Sequence, residues 1–527
     1  MGSKTLYVTI LAAAVMLSCS PRAEVSPGAL FCEHAVLQRG RDITIEANSA
    51  PGARIRVRWR GRTYRTAADG EGRVRLSIPS GDAGGPFTLK IGDKTVGDIL
   101  VGDVYLCSGQ SNAELPVQRC LDVVAEDIKG CSNPQIRYFA VPSAYSFGER
   151  KKDLSGGEWE VLDGERTVLK WSALCYFTAR SLYEKTGVPV GMIRSAVGGS
   201  PIEAWMNERI LPDYALESLA PLKDSDYVDS LKAAAPKVYS DWAEAYSELA
   251  TGREVWKDVD LFSEGWALDA QGKSYTGGHH LRRSVDLSAE EASGGAMLHL
   301  GAMVDADSVF VNGTFVGSTS YRYPPRHYEI PEGVLREGGN LIEVHLYVYG
   351  HEGHGRFIGG KRYSLECSGR EIPLTDGWQH SYAGRMHVRG REIFLQYQPS
   401  GLFNAMIAPL ASYATSGVIW YQGESNAGRP EGYGELLEKM IADWRVQMHE
   451  ADLPFYVVEL ADYEHSELAG EDNGWKRIQN AQRSTAEKME GVWLIHNADL
   501  GEWNDIHPQD KRTLGERIAD EILKQKE

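Results

Sequence analysis

From Leu30 to about Ile99 apolar and polar residues alternate in short runs. The clearest are Ile43-Thr44-Ile45-Glu46, Arg54 to Arg60 and Arg73 to Ile78, cut by Pro51-Gly52, Asp69-Gly70 and Gly84-Gly85. Period-two alternation with turn signals at this spacing predicts a β-sandwich over residues 27–99. The pattern then changes. Val101 to Cys107 is a largely apolar strand, Ser172 to Lys185 a helix with Ser172 as N-cap, and Val188 to Ile193 a second buried strand. That strand runs into Ala196-Val197-Gly198-Gly199-Ser200, ahead of a helix expected at Ile202. A polar, alanine-rich stretch from Asp226 to Leu249 predicts a surface helix. Strands alternating with helices imply a parallel sheet with helices on both faces.

Between Val255 and Phe394 the antiparallel style returns, with strands expected at Ala296 to Leu300, Ser308 to Val311, Leu341 to Tyr347 and Glu392 to Leu395. Asn312-Gly313 between Val309-Phe310-Val311 and Phe315-Val316 predicts a hairpin. The α/β pattern resumes at Gly417 to Tyr421, followed by a helix from about Glu431 to His449 and a strand at Phe455 to Leu460. Helix Trp475 to Lys488, strand Val492 to His496 and helix Gln509 to Lys524 complete it. The expected architecture is one α/β domain, residues 100–254 and 396–527, split by an inserted β-sandwich over 255–395.

Composition sharpens this. The 527 residues are 42% hydrophobic and 24% charged, enough for packed cores and an ordinary surface. A net charge of −17 argues against a nucleic-acid-binding face, which needs a basic patch. Lys4, the apolar run Leu6 to Leu17 and Ser18-Cys19 read as an export signal over residues 1–19, too short to span a bilayer. Small Ser18 before Cys19 is similar to a bacterial lipoprotein cleavage site, so the expectation is a periplasmic or outer-membrane protein with lipidated Cys19. Of the six remaining cysteines, Cys120 and Cys131 form the expected local pair if disulfides form, and buried thiols are the alternative.

Two serines fit a nucleophile turn. Gly109-Gln110-Ser111-Asn112-Ala113 and Gly423-Glu424-Ser425-Asn426-Ala427 both place Gly-x-Ser-Asn-Ala just after an apolar strand. Local pattern leaves both open. His507, in Asp505-Ile506-His507-Pro508 ahead of the last helix, is the candidate general base. Gly198-Gly199 after a parallel strand is a candidate oxyanion-hole loop, its N–H groups uncovered by side chains.

Five blocks in order resemble the SGNH hydrolases and, more narrowly, the sialate O-acetylesterase family. They are Ala35-Val36-Leu37-Gln38-Arg39, Leu106 to Asn112, Gly198 to Trp205, Trp420 to Asn426 and Asp505-Ile506-His507-Pro508. The resemblance implies an SGNH-like three-layer fold, with Ser111 as nucleophile, His507 as base, and Gly199 and the Ser111 N–H as oxyanion donors. The family's asparagine donor corresponds to the Gln422 to Asn426 block with altered spacing, so Gln422 and Asn426 are both candidates and Glu424 an orienting or substrate-binding residue. Ser425 then becomes structural. Many SGNH enzymes carry the orienting aspartate three residues before the histidine, where this chain has Asn504. Asp505, two before, is the candidate third member; a Ser-His dyad aided by a backbone carbonyl or by Glu424 is the competing arrangement, with Asp505 then a helix N-cap or a dipole-complementing charge.

Arg194 at a strand end is a candidate for binding a substrate carboxylate, with a structural ion pair as the rival reading. Glu203 and Trp205 are candidates for sugar contact, Trp205 equally for the core. His279-His280 and His351-Glu352-Gly353-His354 lack zinc spacing and read as surface-loop histidines. The expected function is removal of O-acetyl groups from a sugar, sialic acid first, with no metal or cofactor implied. Acetylated plant polysaccharide is the alternative substrate, and a catalytically dead glycan-binding surface protein the alternative class. Oligomeric state is left open.

Overall fold

The computed structural model describes residues 24–249, 255–263, 265–322, 324–351, 354–390, 392–463, 473–502 and 505–526. The expected leader, with Cys19, lies outside them.

Seven strands build the central sheet: β1 (Lys94–Gly109), β2 (Asn133–Ala140), β3 (Trp159–Leu162), β4 (Val190–Ala196), β5 (Gly417–Tyr421), β6 (Phe455–Val458) and β7 (Val492–Ile495). Their spatial order is β3-β2-β4-β1-β5-β6-β7, parallel throughout except at the β3–β2 edge. Every residue of β5 is buried, as are those of β1 from Ile99 onward, which is why both read as unbroken apolar runs. Ser108-Gly109 of β1 lies level with Ser195-Ala196 of β4 and Trp420-Tyr421 of β5. Three loops therefore leave the sheet side by side at its carboxyl edge, where open α/β sheets place their sites.

The helices that matter are α1 (Ser111–Glu114), α2 (Ala173–Thr186), α3 (Ser225–Leu249), α4 (Tyr433–Gln447), α5 (Gly474–Lys488) and α6 (Lys511–Lys524). Ser172 caps α2, its hydroxyl accepting the Cys175 N–H at 3.2 Å. Helices α2 and α6 pack so closely that a Cβ on Gly515 would lie 2.7 Å from the Phe177 and Thr178 backbone.

Strand β1 is longer than the sequence pattern implies. Its first half pairs with Val36–Gln38 and Gly84–Ile91, so the expected boundary between residues 99 and 100 falls inside one strand. Hydrophobic side chains from Val25 to Val228, and again from Leu395 to Ile522, form one continuous core.

A separate core runs from Leu261 to Trp378. Around it lie a six-stranded sheet that includes Gly277–Leu287 and Gly338–Val348, and a four-stranded sheet centred on Ala296–Leu300 and Tyr363–Cys367. Asn312-Gly313, both at positive φ, turn Ala306–Val311 into Thr314–Thr319. Two expectations fail in this region. His279 and His280 lie within a strand rather than a loop, His279 buried and bonded to the Tyr275 carbonyl at 2.8 Å. Glu392 to Leu395 is not a strand; a short 3-10 turn covers Leu395–Tyr397 instead. Glu352 and Gly353 lie outside the described residues. All six cysteines among the described residues are free thiols, so Cys120 and Cys131 are not bridged.

Candidate active site

Gly109 ends β1 at φ 131°, a conformation that L side chains rarely adopt, and a Cβ there would fall 2.0 Å from the Tyr421 carbonyl oxygen of β5. Glycine thus lets two central strands close up where β1 must turn. Gln110 is extended, and α1 starts at once with Ser111, so the serine stands on a sharp strand-to-helix turn.

Ser111 Oγ lies 2.9 Å from His507 Nε2. Asp505 Oδ1 lies 3.3 Å from His507 Nδ1 and also accepts the His507 backbone N–H at 2.9 Å. The Oδ1–Nδ1 pair meets the distance of an ion pair and not the geometry of a hydrogen bond; the nearby carboxylate favours the tautomer with the proton on Nδ1, which leaves Nε2 to accept from the serine hydroxyl. Burial works to raise the Asp505 pKa, but the contact and charge of His507, the Lys361 ammonium and the His507 amide outweigh it and hold the group at about 2. Burial also pushes the His507 imidazole below the ordinary histidine range, against the pull of Asp505. Neutral His507 beside ionised Asp505 is the state in which the ring can take a proton near pH 7.

Ser111 and Gly199, both of which line the cavity, leave their backbone amides without a backbone partner among the described residues. Gly199, at φ 76°, has no acceptor for its N–H among the described residues, and Ser111, as the first residue of α1, has none within the helix. The Gly198 N–H is already taken by Glu114 Oε1 at 2.8 Å.

Gln422 and Asn426, expected as side-chain donors, lie behind the cavity wall. Gln422 Nε2 donates to Asn426 Oδ1 at 2.7 Å, and its Oε1 accepts from the Tyr433 hydroxyl. Asn426 Nδ2 donates to Glu203 Oε2 at 3.0 Å. Both amides are spent on folding their own loop. Glu203 is likewise buried, bound by Tyr214 and Arg429 at 2.6 Å each, and does not reach the cavity. Arg194 is held by Glu114 at 3.2 Å and by the Ala196 carbonyl at 3.0 Å, so the structural ion pair is what the chain makes there. Trp205 is fully buried, its indole N–H bonded to Ser200.

Three residues that pattern reading missed hold the site together. Asn112 Nδ2 donates to Glu424 Oε1 at 2.6 Å and to the Ile506 carbonyl at 2.8 Å, and its Oδ1 accepts from Lys511 Nζ at 2.7 Å. Lys511 is wholly buried, and burial pulls its ammonium down to about 8. Lys361 reaches in from the second core, with Nζ 3.2 Å from Asp505 Oδ2 and 2.6 Å from Glu502 Oε2. Glu424 does line the cavity, and burial raises its carboxyl against the hydrogen bond from Asn112.

The cavity above Ser111 has a volume of about 970 Å³. Ser111, His507, Gly198, Gly199, Ser425 and Tyr397 line it together with Tyr321 and Arg322 of the inserted segment. Arg119 also lines it; among the described residues its guanidinium bonds the Tyr321 hydroxyl, at 3.4 Å, and its buried Nε has no partner there.

Comparisons with known proteins agree in direction. The family described as carbohydrate esterase, sialic acid-specific acetylesterase, matches residues 387–524, a span that holds His507 and Asp505 but not Ser111. The sialate O-acetylesterase of Rattus norvegicus is 34% identical over 142 residues, covering 24% of this chain and 26% of the relative. That of Homo sapiens is 34% identical over 131 residues, with 24% of each chain covered. The chain thus spans about a quarter of the length of the curated relatives it matches. The crystal structure of a carbohydrate acetylesterase from Xanthomonas citri shares the fold, with a TM-score of 0.57 at 23% identity, over 94% of this chain and 74% of that one. In the matched C-terminal segment the chain resembles the sialate O-acetylesterase family, and in fold it resembles a carbohydrate acetylesterase.

Proposed function

We propose that the protein is an exported serine esterase that removes O-acetyl groups from a sugar, with O-acetylated sialic acid as substrate. The observation that carries this reading is the line of contacts Asp505–His507–Ser111 at the sheet's carboxyl edge, under a cavity large enough for a sugar. The layout is read as an SGNH-like three-layer domain entered from an N-terminal sandwich and interrupted by a sandwich insertion. The apolar run before Cys19 supports export with lipid attachment at that residue.

In the reaction, Ser111 Oγ attacks the acetyl carbonyl carbon while His507 Nε2 takes its proton, and Asp505 stabilises the imidazolium. The N–H groups of Ser111 and Gly199 bind the oxyanion. Collapse breaks the bond to the sugar oxygen, which takes the proton from His507 and leaves as a hydroxyl. Water then attacks the acetyl-serine, giving its proton to His507; acetate departs and Ser111 regains its proton. No step draws on a metal or cofactor.

For the substrate, Arg119 takes the role first assigned to Arg194. It lines the cavity, and a guanidinium is the group that binds a sugar carboxylate. Ser111→Ala is expected to lower kcat on a small acetyl ester by roughly 10⁴-fold or more, with Ser425→Ala within a few-fold of wild type. The reverse result would move the nucleophile to Ser425. Acetate release from O-acetylated sialic acid, set against acetylated xylan, tests the substrate; a strong xylan preference would sink the sialate reading and leave the esterase.

A further inference from the structure

The second core touches the reacting groups through one side chain. Lys361 follows the strand Arg356–Phe357 and is 6% exposed. Burying an ammonium costs several kcal/mol unless anions meet it, so its position needs a reason beyond solubility. Its partners are Asp505 and Glu502, both in the loop that delivers His507. The two Asp505 oxygens are divided: Oδ1 faces the His507 ring and amide, Oδ2 faces Lys361. Ala302 and Pro325 from the same inserted segment line a small cavity with Lys361, Asp505 and His507. Lys361 does not line the substrate cavity.

We propose that Lys361 is a positioning residue for the Asp505–His507 pair, so that the inserted segment is part of the catalytic apparatus and not an appended module. The proposal rests on the esterase reading above. By bonding Oδ2, Lys361 fixes the rotation of the carboxylate so that Oδ1 meets Nδ1. Its charge also tempers that of Asp505, which keeps the imidazole from becoming too strong a base to stay neutral at work. The other groups around this pair are Ser111 at Nε2, with the charges of Arg119 and Lys511 also acting on His507, and Glu424 behind Asn112. Arg119 and Lys511 lower the imidazole pKa in the same sense as Lys361, so removing Lys361 leaves a weaker but not empty positive field.

The test is the pH dependence of kcat/KM on a small acetyl ester. Lys361→Met is expected to move the acid limb up by roughly one pH unit, because His507 then holds its proton more tightly. Glu502→Gln keeps the acceptor that binds the Gln509 N–H yet removes a negative charge, and is expected to move the limb down. Lys361→Arg should restore the wild-type limb, and KM should stay within about twofold throughout, since no substrate contact is changed. Limbs that coincide with wild type in folded Lys361→Met and Glu502→Gln enzymes overturn the proposal. If Lys361→Met does not fold, the direction of the Glu502→Gln shift decides alone. Ser111→Ala separates the two ideas: an active Ser111→Ala enzyme removes the Ser111–His507–Asp505 site on which the proposal rests, while an inactive one, together with unmoved limbs in Lys361→Met and Glu502→Gln, sinks only the role of Lys361.

Discussion

Asn112 and Lys511 are neighbours in space and 399 residues apart in the chain. Neither advertises itself. Asn112 reads as the tail of a serine motif, and Lys511, in Asp510-Lys511-Arg512, reads as a solvated charge at the start of a helix. Yet the Lys511 ammonium is buried, and its folded pKa of about 8 lies below the 10.5 of a free lysine. Between those values the unfolded chain binds more protons than the folded one, so this group makes stability rise with pH from about 8 to 10.5. Lys511→Met is expected to flatten that rise, which urea midpoints at pH 8 and pH 10 would measure; an unchanged slope would mean that the lysine is solvated. Arg194 teaches the converse. An arginine at a strand end can be placed from sequence, but whether it faces a ligand or a nearby carboxylate depends on Glu114, which comes from a different element.

At the scale of elements, the parallel strands were the most legible, because burial on both faces demands unbroken apolar runs that few other structures need. The juxtaposition of Ser111, Gly199 and the Gln422 to Asn426 loop follows from those strands ending level. What the pattern hid is telling. Strand β1 begins with one partner set and ends with another, and its change from alternating to continuous apolar residues marks a change of surroundings, not of element. The Glu392 to Leu395 run misled because Ile393 and Phe394, apolar as they are, stay largely exposed. Gly423–Asn426 copied the serine motif, but there the Gly423 and Ser425 amides bind Gln110 Oε1, tying the copy to the first loop as its support. Gly109→Ala tests how tight this junction is. The new methyl meets a backbone oxygen at 2.0 Å and the residue must hold φ 131°, so a loss of about 3 kcal/mol or more is expected in denaturant unfolding, with activity falling as the β1–β5 contact opens.

Over the whole molecule, two cores share one active site. Helix α3 leads toward the second core, and Trp242 on it packs with Ala306, Tyr349 and Met386, its indole donating to the His387 carbonyl at 3.0 Å. Tyr321 and Arg322 of the inserted segment line the cavity, and Lys361 of the same segment pairs with Asp505. Sequence pattern could place the antiparallel stretch in order but not its side chains against the loop before α6, because contacts between distant segments leave no periodic trace. The same long reach has a consequence in time. Ser111 and its partner His507 are 396 residues apart, so a ribosome makes the proposed nucleophile long before its proposed base. Until α6 has docked against α2, the serine has a turn, a helix and two amides around it but nothing to take its proton. A chain cut just before Asp505 should therefore leave Ser111 unlabelled by a serine-directed phosphonate that marks the full chain, and labelling of the shortened chain would show another base at work. On the proposed mechanism, synthesis order would keep Ser111 unreactive until the last helix is in place.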